Sequence, residues 1–192
     1  VRDIVVADNI IMNVKSALKI GTETRSNRYN NIHFRNNDIL TTDRAIVIYL
    51  RDGATLENIY FSNNNVEQAG GITDDNNKII DIEISKRDRE VIWQRPQWGK
   101  YKNNPGKIRN LVVENINIST ENTHFLEASK IQGFNKENNI DGVTIREIRV
   151  NGKKVKSPKM KIYNKGNAPV NFLDIDHNTV KNIWFNGKLI DK

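Results

Sequence analysis

The chain has 192 residues, a net charge of +7, 37% hydrophobic and 28% charged residues, and no cysteine. That length can bury one substantial core, and the missing cysteine excludes a disulfide framework and thiol chemistry. No apolar run is long enough to span a bilayer, no signal-peptide pattern is visible, and the lysines and arginines are scattered without a helix-turn-helix, zinc-finger or RNP signature, so neither a membrane nor nucleic acid is expected as partner.

The chain opens at Val1-Arg2-Asp3-Ile4-Val5-Val6, already strand-like, and is read as a piece of a longer protein. Ile10-Ile11-Met12 leads to a turn near Asn13. Ala17-Leu18-Lys19-Ile20 makes a second strand that Gly21 is expected to end. Ile32-His33-Phe34 then leads through Asp38-Ile39-Leu40 to Ala45-Ile46-Val47-Ile48-Tyr49-Leu50, with Ile46, Ile48 and Leu50 on one face. Ile59-Tyr60-Phe61 and Val66 precede Ile80-Asp81-Ile82-Glu83-Ile84, whose period-two alternation sends the isoleucines inward and Asp81 and Glu83 outward.

Residues 87–107, with Trp93, Pro96, Trp98, Tyr101 and Pro105, break the rhythm and read as a long loop excursion. The strand rhythm resumes at Ile108 and continues through Phe125-Leu126-Glu127, and a further coil holds Val143 to Val150. Asn151-Gly152-Lys153-Lys154 has the composition of a tight hairpin turn, and Phe172 to Ile175 and Ile183-Trp184-Phe185 make terminal strands.

One phrase recurs through this order. It reads Asn31-Ile32-His33-Phe34-Arg35-Asn36, Asn58-Ile59-Tyr60-Phe61-Ser62-Asn63 and Asn110-Leu111-Val112-Val113-Glu114-Asn115, loosely Ile140-Asp141-Gly142-Val143-Thr144-Ile145, and finally Asn182-Ile183-Trp184-Phe185-Asn186. The first two copies lie 27 positions apart, a stacking period in which one unit cannot bury its own apolar face. The chain holds 29 asparagines, the residue that best tolerates left-handed corners. No segment keeps a helical period over three turns. These features predict an all-β, right-handed parallel β-helix of the pectin-lyase-like solenoid type, as a single domain over residues 1–192. An antiparallel sandwich is the alternative, and its shorter turn spacing fits the period less well.

Three groups of residues carry candidate chemistry. Asp81 and Glu83 lie about 7 Å apart along one strand face, which suits an acid and a base in glycoside hydrolysis. The plain alternative is a solvated strand face whose charges discourage aggregation. Trp93, Trp98 and Tyr101 can stack on sugar rings, with Arg95 and Lys100 nearby, or can simply anchor the loop. Lys19, Tyr49, Arg51, Asp81 and Glu83 form a mixed-charge strip suited to a polar polymer if they project from successive rungs. His33, His124 and His177 are far apart in the repeat, so no metal-ligand spacing appears. Neither a nucleophile elbow nor a phosphate-cradling loop is present, and no cofactor is expected.

Asn9-Ile10-Ile11-Met12-Asn13-Val14-Lys15-Ser16-Ala17-Leu18-Lys19-Ile20-Gly21-Thr22-Glu23 resembles the late coils of polygalacturonase-like β-helix proteins, glycoside hydrolase family 28 and its relatives. Arg44 to Ile48 with Asp52-Gly53 and Glu57 to Phe61, Pro105 to Leu111, and Val150 to Lys154 look like further coils of that group. The resemblance implies a secreted, periplasmic or cell-surface carbohydrate-active protein with a lengthwise groove for polysaccharide, of which this chain supplies the C-terminal coils. It implies a hydrolase; a polysaccharide lyase or a non-catalytic glycan-binding or structural β-helix are the alternatives.

The departures from the family are specific. The family's Asn-x-Asp and Asp-Asp motifs belong before the coil that ends at Gly21 and are expected upstream of this chain, Gly-His-Gly is absent near Ser16, Arg-Ile-Lys is unmatched within Ala45 to Tyr49, and the Asp-Asp pair at Asp74-Asp75 falls in a turn after the coils that should follow it. No catalytic residue is therefore carried over from the family.

Overall fold

The computed structural model describes residues 1–12, 14–70, 76–86, 104–166 and 168–191. Among these residues the chain is all β, with no helix. In chain order the strands are β1 (Arg2–Ala7), β2 (Ile10–Ile11), β3 (Val14–Thr22), β4 (Arg28–Arg35), β5 (Asp38–Ile39), β6 (Thr42–Leu50), β7 (Thr55–Ser62), β8 (Asn65–Val66), β9 (Lys78–Ile84), β10 (Lys107–Ile118), β11 (Ser129–Gln132), β12 (Ile140–Val150), β13 (Lys153–Lys154), β14 (Lys161–Ile162), β15 (Val170–Asn171), β16 (Leu173–Ile175), β17 (Val180–Phe185) and β18 (Lys188–Leu189).

The first sheet runs β1-β4-β7-β10-β12-β17 and the second β16-β11-β9-β6-β3. Every pairing along these two series is parallel. The chain visits the two sheets alternately, and the short β2, β5 and β8 pair in parallel at the corner between them. Arg2 lies opposite Asn30 and Asn30 opposite Glu57, so the paired positions are 28 and then 27 residues apart. An antiparallel sandwich is thereby ruled out. Among the described residues, antiparallel pairing is confined to three short additions, β12 with β13, β14 with β15, and β17 with β18. The first of these turns through Asn151 and Gly152, both at positive φ, which is the hairpin geometry expected there.

The recurring phrase has a direct structural meaning. Its first asparagine adopts a left-handed backbone in copy after copy, at Asn31, Asn58, Asn110 and Asn182, with Gly142 in the same role. Its last residue does the same at Asn36, Asn63, Asn115, Glu147 and Asn186. Each left-handed residue slips the inward-facing set by one position. The buried residues of β10 are therefore Ile108, Leu111, Val113, Ile116 and Ile118, with three-residue steps across Asn110 and Asn115. Strict alternation cannot produce that pattern. Asp3 and Asp8 also lie at positive φ, so β1 carries a further copy of the phrase written with aspartates.

Side chains at these corners bond from strand to strand. The Asn31 amide donates to Asp3 at 2.8 Å, Asn58 to Asn30 at 2.8 Å, Asn110 to Asn58 at 2.7 Å and Asn115 to Asn63 at 2.8 Å. A second, interior ladder joins Asn9, Asn37 and Asn64 at 2.8 Å per step, with Asn37 and Asn64 buried. Between the sheets lies one apolar core rich in isoleucine, in which Phe34 stacks on Phe61 at 4.8 Å. Gly21, expected to end its strand, lies within β3 and opposite Tyr49. A Cβ there would stand 2.0 Å from the Tyr49 carbonyl oxygen, so only glycine permits this approach.

Candidate functional site

The outer face of the second sheet brings the polar residues of successive strands into rows. One row runs Lys19, Val47, Asp81, Lys130, Asp174 across β3, β6, β9, β11 and β16. Beside it runs Gly21, Tyr49, Glu83, Gln132. Ser16, Arg44 and Lys78 lie opposite one another at the strand starts. The rows exist because parallel in-register stacking repeats each outward position every strand spacing, about 4.8 Å.

Tyr49 is the centre of this surface. Its hydroxyl donates to Asp81 Oδ2 and accepts from Arg44 Nη1 at 2.9 Å. Three cations surround its ring: Lys19 Nζ at 5.6 Å from the centroid, the Arg44 guanidinium at 5.6 Å and the Arg51 guanidinium at 5.4 Å. These distances fall within the range of cation–π attraction. Burial, then the hydrogen bond to Asp81 and its negative charge, push the Tyr49 hydroxyl well above the usual tyrosine range, with Arg44 opposing. Burial, then the charges of Arg44 and Arg51, hold the Lys19 ammonium below the usual lysine range.

Asp81 is outward by alternation yet only 3% exposed, so it is not a solvated strand-face charge. Glu83 remains partly exposed and pairs with Lys130 at 3.5 Å. Both carboxylates are thus engaged by a proton donor or a cation. Among the described residues, neither Lys19 nor Arg51 is paired with a carboxylate. Arg44 is 7% exposed and its Nε has no acceptor; Arg51 Nε and Ser16 Oγ are also buried without partners. The surface continues past Lys130 into an open cavity of about 390 Å³ lined by Lys78, Ser129, Lys130, Gln132, Asp174 and Asp176.

The structure therefore brings Lys19, Tyr49, Arg51 and Asp81 together around one ring, with Glu83 beside them in register. Trp93, Trp98 and Tyr101, with Arg95, Lys100 and Asp74-Asp75, lie outside the described residues. Reading the sequence missed Arg44, Ser16 and Lys130. Arg44 shares the parity of Ile46 and Ile48, which assigns it to the core side. Ala45 and Ile46 are in fact both in the core, so the alternation breaks there and Arg44 reaches the outer face. A charged residue directly before the apolar run Ala45-Ile46-Val47-Ile48 was the available signal.

Chemically, the arrangement is a cationic recess with spare donors, bounded by two occupied carboxylates. No group of His, Asp or Glu able to hold a metal ion is found among the described residues. No family model, curated protein or solved structure matches the chain.

Proposed function

We propose that the chain forms a right-handed parallel β-helix, similar to polygalacturonases, that lays an acidic polysaccharide along the outer face of β3, β6, β9, β11 and β16. Alternate visits to two parallel sheets, at spacings of 28 and 27 residues over the first coils and longer ones after them, support the solenoid reading. One observation carries the ligand: Lys19, Arg44 and Arg51 converge on Tyr49 while the Nε atoms of both arginines lie buried without an acceptor. Clustered cations repel one another, and an incoming anion relieves that repulsion. A polymer with regularly spaced anions and hydroxyls can bond the recess and then Glu83, Lys130 and Gln132 in turn. Affinity electrophoresis tests this. Anionic polysaccharides should retard the chain and a neutral galactan should not; equal mobility in all gels removes the proposal.

A hydrolytic reading rests on Asp81 and Glu83 sharing one strand face beside the cationic recess. In it one of the two carboxyl groups donates the proton to the leaving oxygen and the other activates water. Release of reducing ends that disappears in both Asp81→Asn and Glu83→Gln supports that reading; retention of polymer with no new ends leaves binding alone.

A further inference from the structure

We infer that the Lys19, Arg44 and Arg51 recess is shaped for a sulfate ester, so that the polymer it holds is a sulfated polysaccharide rather than one acidic only through uronate carboxylates. This rests on the acidic-polysaccharide reading and specifies its chemistry. The donors arrive from separate directions. Lys19 comes from β3, Arg44 from the start of β6, and Arg51 from just beyond its end, all three within 5.6 Å of the Tyr49 centroid. Ser16 Oγ joins the Nε atoms of Arg44 and Arg51 as a third buried group without a partner, opposite Arg44.

A carboxylate is planar and offers two oxygens, an arrangement matched by one arginine fork in its plane. A sulfate ester offers three oxygens in a pyramid, and three cations gathered around the Tyr49 ring can each take one. Hydration points the same way. Arg44 is 7% exposed and its guanidinium is weakly hydrated. An anion entering beside it must shed water, and a sulfate monoester, with its charge spread over three oxygens, sheds water more readily than a carboxylate. The carboxylates already present fit as neighbours. Asp81 is occupied by the Tyr49 hydroxyl and Glu83 by Lys130, so the recess keeps its positive charge.

The test compares a sulfated galactan, the same galactan desulfated, and polygalacturonate matched to the sulfated polymer in charge per residue, by affinity electrophoresis and calorimetry. Retention by the sulfated galactan should be about tenfold tighter than by polygalacturonate. Arg51→Ala should abolish that preference. Lys19→Gln, at an exposed position, provides a second variant that does not disturb the core and should weaken it several-fold. Retention by polygalacturonate equal to or tighter than by the sulfated polymer overturns the inference and leaves acidic-polysaccharide binding standing. Retention by neither overturns both.

Discussion

Replacing Tyr49 with phenylalanine removes one oxygen atom and tests the whole arrangement on the second sheet. The hydroxyl donates to Asp81, which is 3% exposed, and accepts from Arg44 at 2.9 Å. Hydrogen bonds to charged groups contribute about 1.5–3 kcal/mol each. Losing both, with Arg44 and Asp81 partly closing on each other, should cost about 2–3 kcal/mol. At this chain length that corresponds to a Tm lower by about 5–10 °C. Urea unfolding of the two proteins gives the difference directly. A cycle with Asp81→Asn should show a coupling of about 1 kcal/mol or more.

The pH dependence supplies an independent check. Tyr49 holds its proton more tightly folded than unfolded, so its contribution is fully present below about pH 10, the unfolded value, and is lost as pH rises above it. Tyr49→Phe should flatten that part of the alkaline decline. The variant should also bind anionic polymer less well, because Arg44 then neutralises Asp81 instead of facing the recess. A variant within about 0.5 kcal/mol of the parent, with the same alkaline slope, would refute the reasoning.

The interior ladder offers a sharper contrast. Asn37 is fully buried and its amide donates to Asn64, Val6 O and Arg35 O while its oxygen accepts from Asn9. Asn37→Ala should cost about 3 kcal/mol and Asn37→Asp more, since a carboxylate would face three acceptors; denaturant midpoints rank them. Gly106→Ala would place a Cβ 2.3 Å from Ala54 O at a φ of +123° and should cost at least about 2 kcal/mol, whereas Gly187→Ala, with nothing within 4 Å, should cost only about 1 kcal/mol by thermal unfolding. At the acid end, Asp174 and Asp176 are held below the usual carboxylate range, first by hydrogen bonds from Lys159 and Thr179 respectively. Their stabilisation is present above about pH 4 and lost as pH falls through the folded values. Asp176→Asn should therefore unfold with a shallower acid limb, read by circular dichroism.

The sequence by itself determined the all-β class, the 27-residue return of the first coils and most strands. Those follow from local rules: asparagine at left-handed corners, isoleucine on the buried face, polar residues outside. By the same rules the sequence carried the rhythm through Phe125 to Glu127, where there is no strand, and missed β11 at Ser129–Gln132. It also pointed to Lys19, Tyr49, Arg51, Asp81 and Glu83 as one strip, because in-register stacking carries side-chain parity from strand to strand. Tertiary structure alone decided what those residues do to one another. Asp81 looked solvated because alternation tells only which way a side chain leaves the strand. Its burial depends on Tyr49 and Arg44, which lie 32 and 37 positions away in the chain. The role of Arg44 was hidden in the same way, since its parity matches that of Ile46 and Ile48 and only the fold places both Ala45 and Ile46 in the core. Parity is a property of one strand, but the environment of a charge is set by strands that meet it only after folding.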